Sequence, residues 1–351
     1  MSLEPPREDL REIVERERES LQVLRGARLL VTGAAGFLGS YLAHAVAFAN
    51  DVLPGAACRL VCLDKFVTGL PDRLVSLNGR PDCTMLDESP TDLDRLEADF
   101  VIHAAGIASP SMYRRLPLET IEINVLGTWR LLRLARAERI RSLLYVSSSE
   151  VYGDPEDSKI PTREDYVGRV SFTGPRACYD ESKRLAETLC RLFYEQHGVP
   201  VKVTRPFNVY GPALRLDDGR IVPDLMRQGI AGGPLVLLSD GGPTRAFCYV
   251  TDAVGAFLRI LASNQDGEAF NVGTPEEVSI LSLAQLTGEL FGIDDVRHQR
   301  SDDLRYLVDN PHRRSPDIGK IRDRLGWTPT VPLRAGLART VAYYRERASS
   351  P

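Results

Sequence analysis

The chain has 351 residues, 44 Lys and Arg against 48 Asp and Glu, and a formal net charge of -4. Charges this balanced provide no basic field for nucleic acid, and no apolar run approaches the ~20 residues of a membrane span. The six cysteines include no CxxC pair, which is typical of reduced thiols in a cytoplasmic protein. We therefore expect a cytoplasmic protein with no nucleic acid, membrane or metal as a partner.

The first 26 residues differ in composition from the rest of the chain. Charges of both signs are dense from Glu4 to Arg25. Apolar residues recur there at a helical spacing, namely Leu10, Ile13, Val14, Leu21 and Leu24. This pattern predicts an amphipathic N-terminal helix over residues 1–26 that lies on the domain or on a dimer partner. A dedicated partner-binding helix is the alternative.

From Arg28 onwards short apolar runs alternate with helical patterns. The predicted strands are residues 28–32, 59–63, 83–86, 100–104, 142–147 and 201–204. The predicted helices between them are residues 36–50, 118–137 and 179–197. Strands and helices in this alternation predict an α/β fold with a Rossmann-type doubly wound parallel sheet.

The regular alternation ends after Asn208. Residues 208–250 are rich in Gly and Pro, and helical patterns recur near 251–262, 279–291 and 332–347. We expect a smaller α/β substrate-binding cap formed by residues 208–246 and 274–347. The NAD-binding Rossmann domain then comprises residues 27–207 with returning segments near 247–273.

A glycine-rich turn follows the first predicted strand and opens the first helix. It reads Gly33-Ala-Ala-Gly36-Phe37-Leu38-Gly39, a spacing that allows a tight turn and a pyrophosphate on the helix N-terminus. Asp64 ends the second strand, where a carboxylate bonds the adenosine ribose and repels a 2′-phosphate, so NAD is favoured over NADP. The rest of the predicted cofactor site is Lys65, Phe66, Thr68, Gly69, Asp87, Ala104, Ala105 and Gly106. Asp87 is placed at the adenine edge, or is a solvated loop aspartate.

Tyr179 and Lys183 stand four residues apart in a predicted helix and therefore share one face. An ammonium there lowers the pKa of the phenol, so that Tyr179 could act as a base. Ser148 comes at the carboxyl end of the fifth strand, where open α/β sheets bind ligands. Its hydroxyl could share the proton that Tyr179 removes from a substrate alcohol.

These residues carry a resemblance. With the glycine turn they resemble the extended short-chain dehydrogenase/reductase family, and more specifically the UDP-glucuronate decarboxylases. The segments that carry the closer resemblance are residues 108–110, 149–155, 164–166, 174–184, 207–212, 218–220, 244–247, 274–277 and 310–314. The resemblance covers residues 27–347 and leaves the N-terminal helix outside.

The resemblance implies an NAD cofactor that is reduced and reoxidised within one catalytic cycle. Tyr179 deprotonates the sugar 4-hydroxyl, Ser148 shares the proton, and Lys183 holds the phenolate. The C4 ketone then assists loss of CO₂ from the neighbouring carboxylate-bearing carbon. The remaining implied site residues are Ser149, Glu150 and Arg314 around that carbon, Asn208 and Arg245 on the diphosphate, Arg220 at the nucleotide, and Tyr113 among the substrate-binding residues. A homodimer through the helices at 118–137 and 179–197 is also implied.

Three alternatives remain open at this stage. Sugar-nucleotide 4,6-dehydratases resemble this chain but carry an Asp-Glu pair where it has Ser149-Glu150, and C4-epimerases usually lack the carboxylate. Glu122 stands where the decarboxylases often carry a lysine, and a carboxylate there would oppose an anionic substrate. A C4-epimerase, a dehydratase and a non-catalytic NAD-sensing protein are therefore the other hypotheses.

Overall fold

A seven-stranded parallel sheet forms the centre of the protein, seen in a computed structural model that describes residues 3–302 and 308–349. The strands are β1 (Arg28–Thr32), β2 (Arg59–Leu63), β3 (Cys83–Leu86), β4 (Phe100–His103), β5 (Ser142–Val146), β6 (Val201–Pro206), β7 (Val209–Tyr210), β8 (Leu235–Leu237), β9 (Thr244–Ala246), β10 (Cys248–Tyr249), β11 (Ala269–Val272), β12 (Glu277–Ser279), β13 (Val296–His298) and β14 (Arg313–Arg314). The central sheet has the order β11-β6-β5-β4-β1-β2-β3. This order confirms the predicted doubly wound sheet, and it places a topological switch point between β1 and β4.

Helices cover both faces of this sheet. They are α1 (Arg7–Arg16), α2 (Arg18–Val23), α3 (Phe37–Val52), α4 (Pro110–Arg115), α5 (Pro117–Ile121), α6 (Thr128–Glu138), α7 (Ala177–His197), α8 (Ile221–Ile230), α9 (Val250–Ala262), α10 (Ile280–Phe291), α11 (Gly319–Leu325) and α12 (Leu333–Ala348). Helices α6 and α7 pack on one face and α3 and α9 on the other. In α7 the buried residues Tyr179, Lys183, Ala186, Cys190 and Phe193 recur every three or four positions, which is the spacing of one helix face.

The single helix predicted over residues 118–137 is wrong in detail. The segment contains most of α5, a π-helical turn over Glu122–Gly127 and then α6, and the short helix α4 precedes it. Pro110 and Pro117 occupy the first positions of α4 and α5, where proline favours a helix start. In the wider turn the Thr128 hydroxyl donates to the carbonyl of Asn124 at 2.6 Å. Such turns are frequent at functional sites, and this one lies beside the switch point.

The N-terminal segment forms two helices, where one was predicted. The five apolar residues singled out from its sequence are all buried, and α1 and α2 pack on α3 and α9 of the same chain. The break falls at Glu17, whose backbone leaves helical geometry (φ -107°, ψ 26°). Its buried carboxylate accepts hydrogen bonds from Arg259, at 2.8 Å from Nη2, and from Ser20, at 3.1 Å. The segment is thus a third layer outside α3 and α9.

Asp9 joins this layer to the rest of the fold through buried hydrogen bonds. Its carboxylate accepts from Tyr41 at 2.8 Å and from Tyr249 at 3.0 Å, and Arg339 lies 3.7 Å away. Burial raises the pKa of Asp9 to about 6, although the two tyrosines and Arg339 act in the opposite direction. The folded protein therefore binds this proton more tightly than the unfolded chain does.

The protein should accordingly lose stability as the pH rises through the pKa of Asp9. The stabilisation is fully present below pH ~4 and is lost above pH ~6, a change of about 3 kcal/mol in the free energy of unfolding. We expect Asp9→Asn to remove this pH dependence, measured by urea unfolding between pH 4 and 7. Glu8→Gln, on the exposed face of α1, is the matched control and should behave as the wild type. An unchanged pH profile in Asp9→Asn would contradict the assignment.

The remaining elements cover the carboxyl ends of the central strands. Strand β9 pairs with β12 and β14, and β8 pairs with β13, while α8, α10 and α12 pack together. Strands β7 and β10 form a parallel pair next to the central sheet. Of the elements after Asn208, β11 joins the central sheet at its edge and α9 packs against β5 and β6.

Three further observations bear on the expectations drawn from composition. Within the part of the chain that the structure describes, no helix is long and apolar enough to cross a bilayer. All six cysteines are free thiols. Across the same residues, no group of three or more His, Cys, Asp or Glu side chains is placed to hold a metal ion.

Candidate active site

The loop between β1 and α3 is shaped for the close approach of a phosphate group. Gly33 has a φ of 71°, and a Cβ on it would lie 2.6 Å from the backbone nitrogen of Ala105. A Cβ on Gly39 would collide with the carbonyl oxygen of Gly33, and one on Gly36 would lie 3.0 Å from the same oxygen. The loop therefore favours glycine at all three positions, and it presents the N-terminus of α3 at the switch point.

Asp64 lies beside this loop as a buried carboxylate. Oδ2 accepts the backbone N–H of Ala35 at 2.8 Å, and Oδ1 accepts that of Phe66 at 2.7 Å. Burial raises the pKa of Asp64, while the two backbone hydrogen bonds act in the opposite direction. The carboxylate is thus held rigidly at the position where Rossmann-type sheets bind the ribose hydroxyls of NAD.

A cavity of about 280 Å³ opens next to Asp64 and the glycine loop. The predicted cofactor residues in its wall are Gly33, Gly36, Asp64, Lys65, Thr68, Gly69, Ala104, Ala105 and Gly106. Leu38 lies in the wall of a second, larger cavity that shares Ala104 and Gly106 with the first. Phe37, Gly39, Phe66 and Asp87 lie outside both walls. The glycine loop, the buried carboxylate of Asp64 and this cavity fit a dinucleotide such as NAD.

Of the two positions considered for Asp87, the structure shows the solvent-exposed one. Asp87 is exposed and forms an ion pair with Lys65 at 3.4 Å, whereas Ser89 and Asp92 line the cavity. Glu122 also lines this smaller cavity and not the larger one. The structure thus places Glu122 on the cofactor side, outside the wall of the larger cavity.

Tyr179 and Lys183 are both buried on the same face of α7. Lys183 Nζ donates to the carbonyl of Val146 at 2.9 Å and lies 5.9 Å from the centre of the Tyr179 ring. Burial lowers the pKa of Lys183 to about 7. It raises the pKa of Tyr179 to about 12, although a hydrogen bond with Ser148 acts in the opposite direction. The expectation of a lowered phenol pKa is thus wrong here, because burial, together with the charges of Glu150 and Asp180, outweighs the hydrogen bond with Ser148 and the charge of Arg220.

Tyr113 stacks on the catalytic candidate Tyr179. The ring centres are 5.2 Å apart and the planes differ by 13°. The Tyr113 hydroxyl is buried, and among the described residues it has no hydrogen-bond partner. Because a buried hydroxyl is costly to leave unpaired, this group is well placed to bond a ligand in the larger cavity, whose wall it joins.

Glu150 lies between two arginines just after β5. Both carboxylate oxygens accept from Arg314, with 2.7 Å between Nη2 and Oε2, and Arg176 also pairs with Oε2. Burial alone would raise the pKa of Glu150, but Arg176 and Arg314 outweigh it and hold this pKa well below its usual range. Glu150 is therefore ionised near neutral pH and has no proton to give.

The side chains expected at the diphosphate and nucleotide are partly engaged with the protein itself. Arg245 donates to the carbonyls of Thr244 and Pro311, both at 2.7 Å, and to Asn310 Oδ1 at 2.9 Å. Burial lowers the pKa of Arg245 to about 9, and the charge of a neighbouring arginine acts in the same direction. Arg220 forms an ion pair with Asp218. Fewer N–H donors of these two arginines are therefore free to bind a diphosphate than the sequence suggests.

The larger cavity, about 500 Å³ in volume, brings the predicted catalytic and substrate-binding residues together. In its wall are Tyr113, Ser148, Ser149, Glu150, Tyr179, Lys183, Asn208, Arg220, Arg245 and Arg314. Asn208 has a φ of 37°, and its amide donates to the carbonyl of Ala246 at 3.0 Å. The cavity can therefore hold a polar, anionic molecule with one hydroxyl at Tyr179 and the cofactor pocket next to it.

Two members of the site were not singled out from the sequence. Arg176 lies in the cavity wall, and Asp180 is buried behind it. Burial and the neighbouring Glu150 raise the pKa of Asp180 to about 8, against the effect of Arg176. Their position in the sequence could have indicated them, because both residues lie in the segment 174–184 that carries the resemblance.

Comparisons with known proteins agree with this geometry. The model of the NAD dependent epimerase/dehydratase family matches residues 29–273. The UDP-glucuronic acid decarboxylase 1 of Arabidopsis thaliana is 39% identical over 320 residues, which cover 91% of this chain and 70% of that protein.

Solved structures of similar proteins include two with NAD bound. The dTDP-glucose 4,6-dehydratase DesIV of Streptomyces venezuelae is 28% identical with a TM-score of 0.79, covering 91% of this chain and 97% of that one. The UDP-glucuronic acid 4-epimerase of Bacillus cereus, solved with UDP-glucuronic acid and NAD, is 26% identical with a TM-score of 0.77, covering 91% and 99%. On the family match, the identity to the decarboxylase and the shared fold, this chain belongs to the NAD dependent epimerase/dehydratase family.

Proposed function

We propose that the protein catalyses NAD-dependent decarboxylation of a nucleotide-activated glucuronic acid, of the type that converts UDP-glucuronate to UDP-xylose. The observation that carries this proposal is the carboxylate of Glu150 held by Arg176 and Arg314 beside Tyr179. An arginine-rich, buried cluster next to a proton-accepting hydroxyl suits a sugar that carries a carboxylate near the oxidised carbon. The decarboxylase named above, 39% identical over most of this chain, supports the same activity.

Catalysis begins at the sugar 4-hydroxyl. When bound, NAD accepts the hydride of C4 and later returns it. Tyr179 takes the hydroxyl proton, Ser148 shares it, and Lys183 supplies a cationic neighbour 5.9 Å from the phenol ring. Because burial raises the pKa of Tyr179, the phenol is a strong base once ionised, and added positive charge in the site favours that form.

Loss of CO₂ follows from the position of the new ketone. The C4 carbonyl lies β to the C6 carboxylate, so the electrons of the breaking C5–C6 bond move onto the C4 oxygen. The protonated Tyr179 and Ser148 then hydrogen-bond that oxygen as its charge grows. Glu150 is ionised, so the proton that reaches C5 comes from Tyr179 or from water.

The assignment of the individual residues is part of the proposal. Those proposed for NAD are Gly33, Gly36, Phe37, Leu38, Gly39, Asp64, Lys65, Phe66, Thr68, Gly69, Asp87, Ala104, Ala105, Gly106, Tyr179 and Lys183. Those proposed for the substrate are Tyr113, Ser149, Glu150, Asn208, Arg220, Arg245 and Arg314. The shared lining of the two cavities supports most of them. We also propose the division into an N-terminal layer, a Rossmann domain and a cap, with the boundaries given in the sequence analysis. A cytoplasmic location is proposed as well, and the six free thiols support it.

Incubation of the purified protein with UDP-glucuronate and NAD, followed by mass spectrometry, tests the activity. The proposal predicts a product lighter by one CO₂. A product of unchanged mass and altered stereochemistry indicates a C4-epimerase, and loss of water from a neutral sugar nucleotide indicates a dehydratase. Binding of NAD with no reaction of any sugar nucleotide indicates a sensor. Any of these three results contradicts the proposal.

The protein is further proposed to form a homodimer through α5, α6 and α7. Six of its exposed large apolar residues lie on these helices and the turn between them, namely Leu118, Ile121, Leu126, Trp129, Leu185 and Leu192. An edge-on contact of Trp129 and Phe193, with ring centres 5.4 Å apart, holds α6 and α7 together. An apolar patch of this kind is typical of a protein–protein interface, and two copies would make a four-helix contact.

Leu126→Arg should therefore convert the dimer to a monomer, because it places a charge in the middle of that contact. Light scattering after size-exclusion chromatography measures the change. Val52→Arg alters an equally exposed apolar residue at the end of α3 and should leave the dimer intact. A wild-type monomer, or a dimer that Leu126→Arg does not affect, would exclude this interface.

A further inference from the structure

We infer that Arg176 binds the C6 carboxylate of the substrate, whereas Arg314 serves to hold Glu150. This inference rests on the proposed function and assigns the residue that recognises a glucuronate against a neutral sugar. It differs from the role that the sequence resemblance gives to Arg314. The arginines around Glu150 differ in the acceptors of their Nη atoms, in their exposure and in their position.

Arg314 donates from both of its Nη atoms to the protein, and its Nε is buried with no hydrogen-bond partner among the described residues. Its two Nη atoms donate to the two oxygens of Glu150, and Nη2 also donates to the carbonyl of Gly153 at 3.2 Å. The Arg314 side chain is only 3% exposed. A two-pronged pair of this kind fixes the geometry of both partners, so Arg314 sets the position of Glu150.

Arg245 is similarly engaged. Its Nη1 donates to the carbonyls of Thr244 and His312, and its Nη2 donates to Asn310 and to the carbonyl of Pro311. A guanidinium that already donates from both Nη atoms to four protein acceptors has little capacity left for a carboxylate.

Arg176 has capacity left. Its Nη2 pairs with Oε2 of Glu150, and its Nε, like that of Arg314, is buried with no hydrogen-bond partner among the described residues. The Asp180 carboxylate lies 3.7 Å from that Nε, beyond hydrogen-bond distance. The side chains of Arg176 and Glu150 are 14% and 18% exposed, so they reach the cavity more openly than Arg314 does.

The position of Arg176 relative to Tyr179 suits the sugar. The two residues stand three apart at the start of α7, and the backbone N–H of Tyr179 donates to the carbonyl of Arg176 at 2.9 Å. Residues at this spacing lie on the same side of a helix. In a glucuronate the carboxyl carbon is two bonds from C4, so a sugar with its 4-hydroxyl at Tyr179 brings the carboxylate near Arg176.

The charge balance of the cluster also favours one more anion. Three cations, Arg176, Arg245 and Arg314, surround the ionised Glu150, and Asp180 is a second carboxyl group beside them. The pKa of Asp180 is raised to about 8, so this group is mostly uncharged at pH 7. A substrate carboxylate would offset the surplus positive charge, and a neutral hydroxymethyl group would not.

Binding of two ligands that differ in the carboxylate tests the inference. Calorimetry with NAD present compares UDP-glucuronate with UDP-xylose, which lacks C6, in a Tyr179→Phe background that prevents turnover. Adding Arg176→Met should weaken the binding of UDP-glucuronate by about 10- to 100-fold, the loss expected for a charge-assisted hydrogen bond. The affinity for UDP-xylose should change less than about twofold. Arg334→Met, an exposed arginine on α12 paired with Glu289, is the matched control and should change neither.

Arg176→Lys keeps the charge without the planar fork, and should lose less affinity for UDP-glucuronate than Arg176→Met does. An equal loss for both ligands in the folded variants would overturn the inference, because it would show a general effect on the cavity. An unchanged affinity for UDP-glucuronate would also overturn it, because the carboxylate would then bind elsewhere. Failure of the Tyr179→Phe parent to bind UDP-glucuronate would overturn the proposed function together with the inference.

Discussion

Tyr179→Phe should lower kcat by roughly 10³-fold, the range expected when a general base is removed. In the proposed mechanism the phenol takes the proton of the sugar 4-hydroxyl, and Lys183 cannot replace it because its Nζ donates to the carbonyl of Val146. The fold should survive, since the phenylalanine ring can keep the stacking on Tyr113. Binding of NAD and UDP-glucuronate should therefore persist while turnover is lost, measured by calorimetry and by product formation.

Tyr145→Phe is the matched control for this variant. Tyr145 is buried beneath Lys183, with Nζ 4.9 Å from the centre of its ring, and it lies outside the walls of the two cavities. Loss of its hydroxyl should leave turnover within about twofold, because ring packing is retained. Wild-type turnover by Tyr179→Phe would contradict the assignment of the base.

Glu150→Gln should lower kcat by at least about 10²-fold, comparable with the loss of other fixed electrostatic partners in active sites. The neutral amide would leave Arg314 and Arg176 without their ionised partner, so their geometry around the carboxylate-bearing carbon would change. The same substitution should tighten UDP-glucuronate binding several-fold, because the substrate carboxylate would no longer meet the charge of Glu150. Steady-state kinetics and calorimetry separate the two effects.

NAD affinity supplies the internal control for Glu150→Gln. Glu150 lines the larger cavity and not the smaller one, so NAD binding should change less than about twofold. Glu276→Gln, at a carboxyl on the exposed loop before β12, should change neither kcat nor substrate binding. Full turnover in Glu150→Gln would remove this residue from the chemistry.

The central sheet could be predicted from the sequence because its strands are locally encoded. The first three strands have the predicted bounds, and β4 and β5 end one residue earlier than predicted. Strands β4 and β5 are buried at every position, so each reads as a continuous apolar run between turn residues. The glycine loop was also predictable, because a tight turn at a switch point restricts side-chain size.

The features that escaped prediction depend on contacts between distant parts of the chain. The turn at 122–127 has a π-helical form that local sequence propensity does not predict. The pairing of Glu150 with Arg314 arises only when the cap meets the sheet. The pairing of Glu150 with Arg176, and the engagement of Arg245 by carbonyls at 311 and 312, join residues that are distant in the sequence. The raised pKa of Tyr179 follows from burial, and the spacing of Tyr and Lys in the sequence does not show how deeply the phenol is buried.

In the proposed reaction C4 is oxidised and then reduced again within one active site during the loss of CO₂. This cycle is tested most directly with UDP-glucuronate that carries deuterium at C4, incubated with the protein and NAD in ordinary water. We expect a pentose nucleotide that retains the deuterium at C4 and gains a hydrogen from the solvent at C5. A decarboxylated product that lacks the label at C4 would contradict the account, and so would a labelled substrate that returns unchanged.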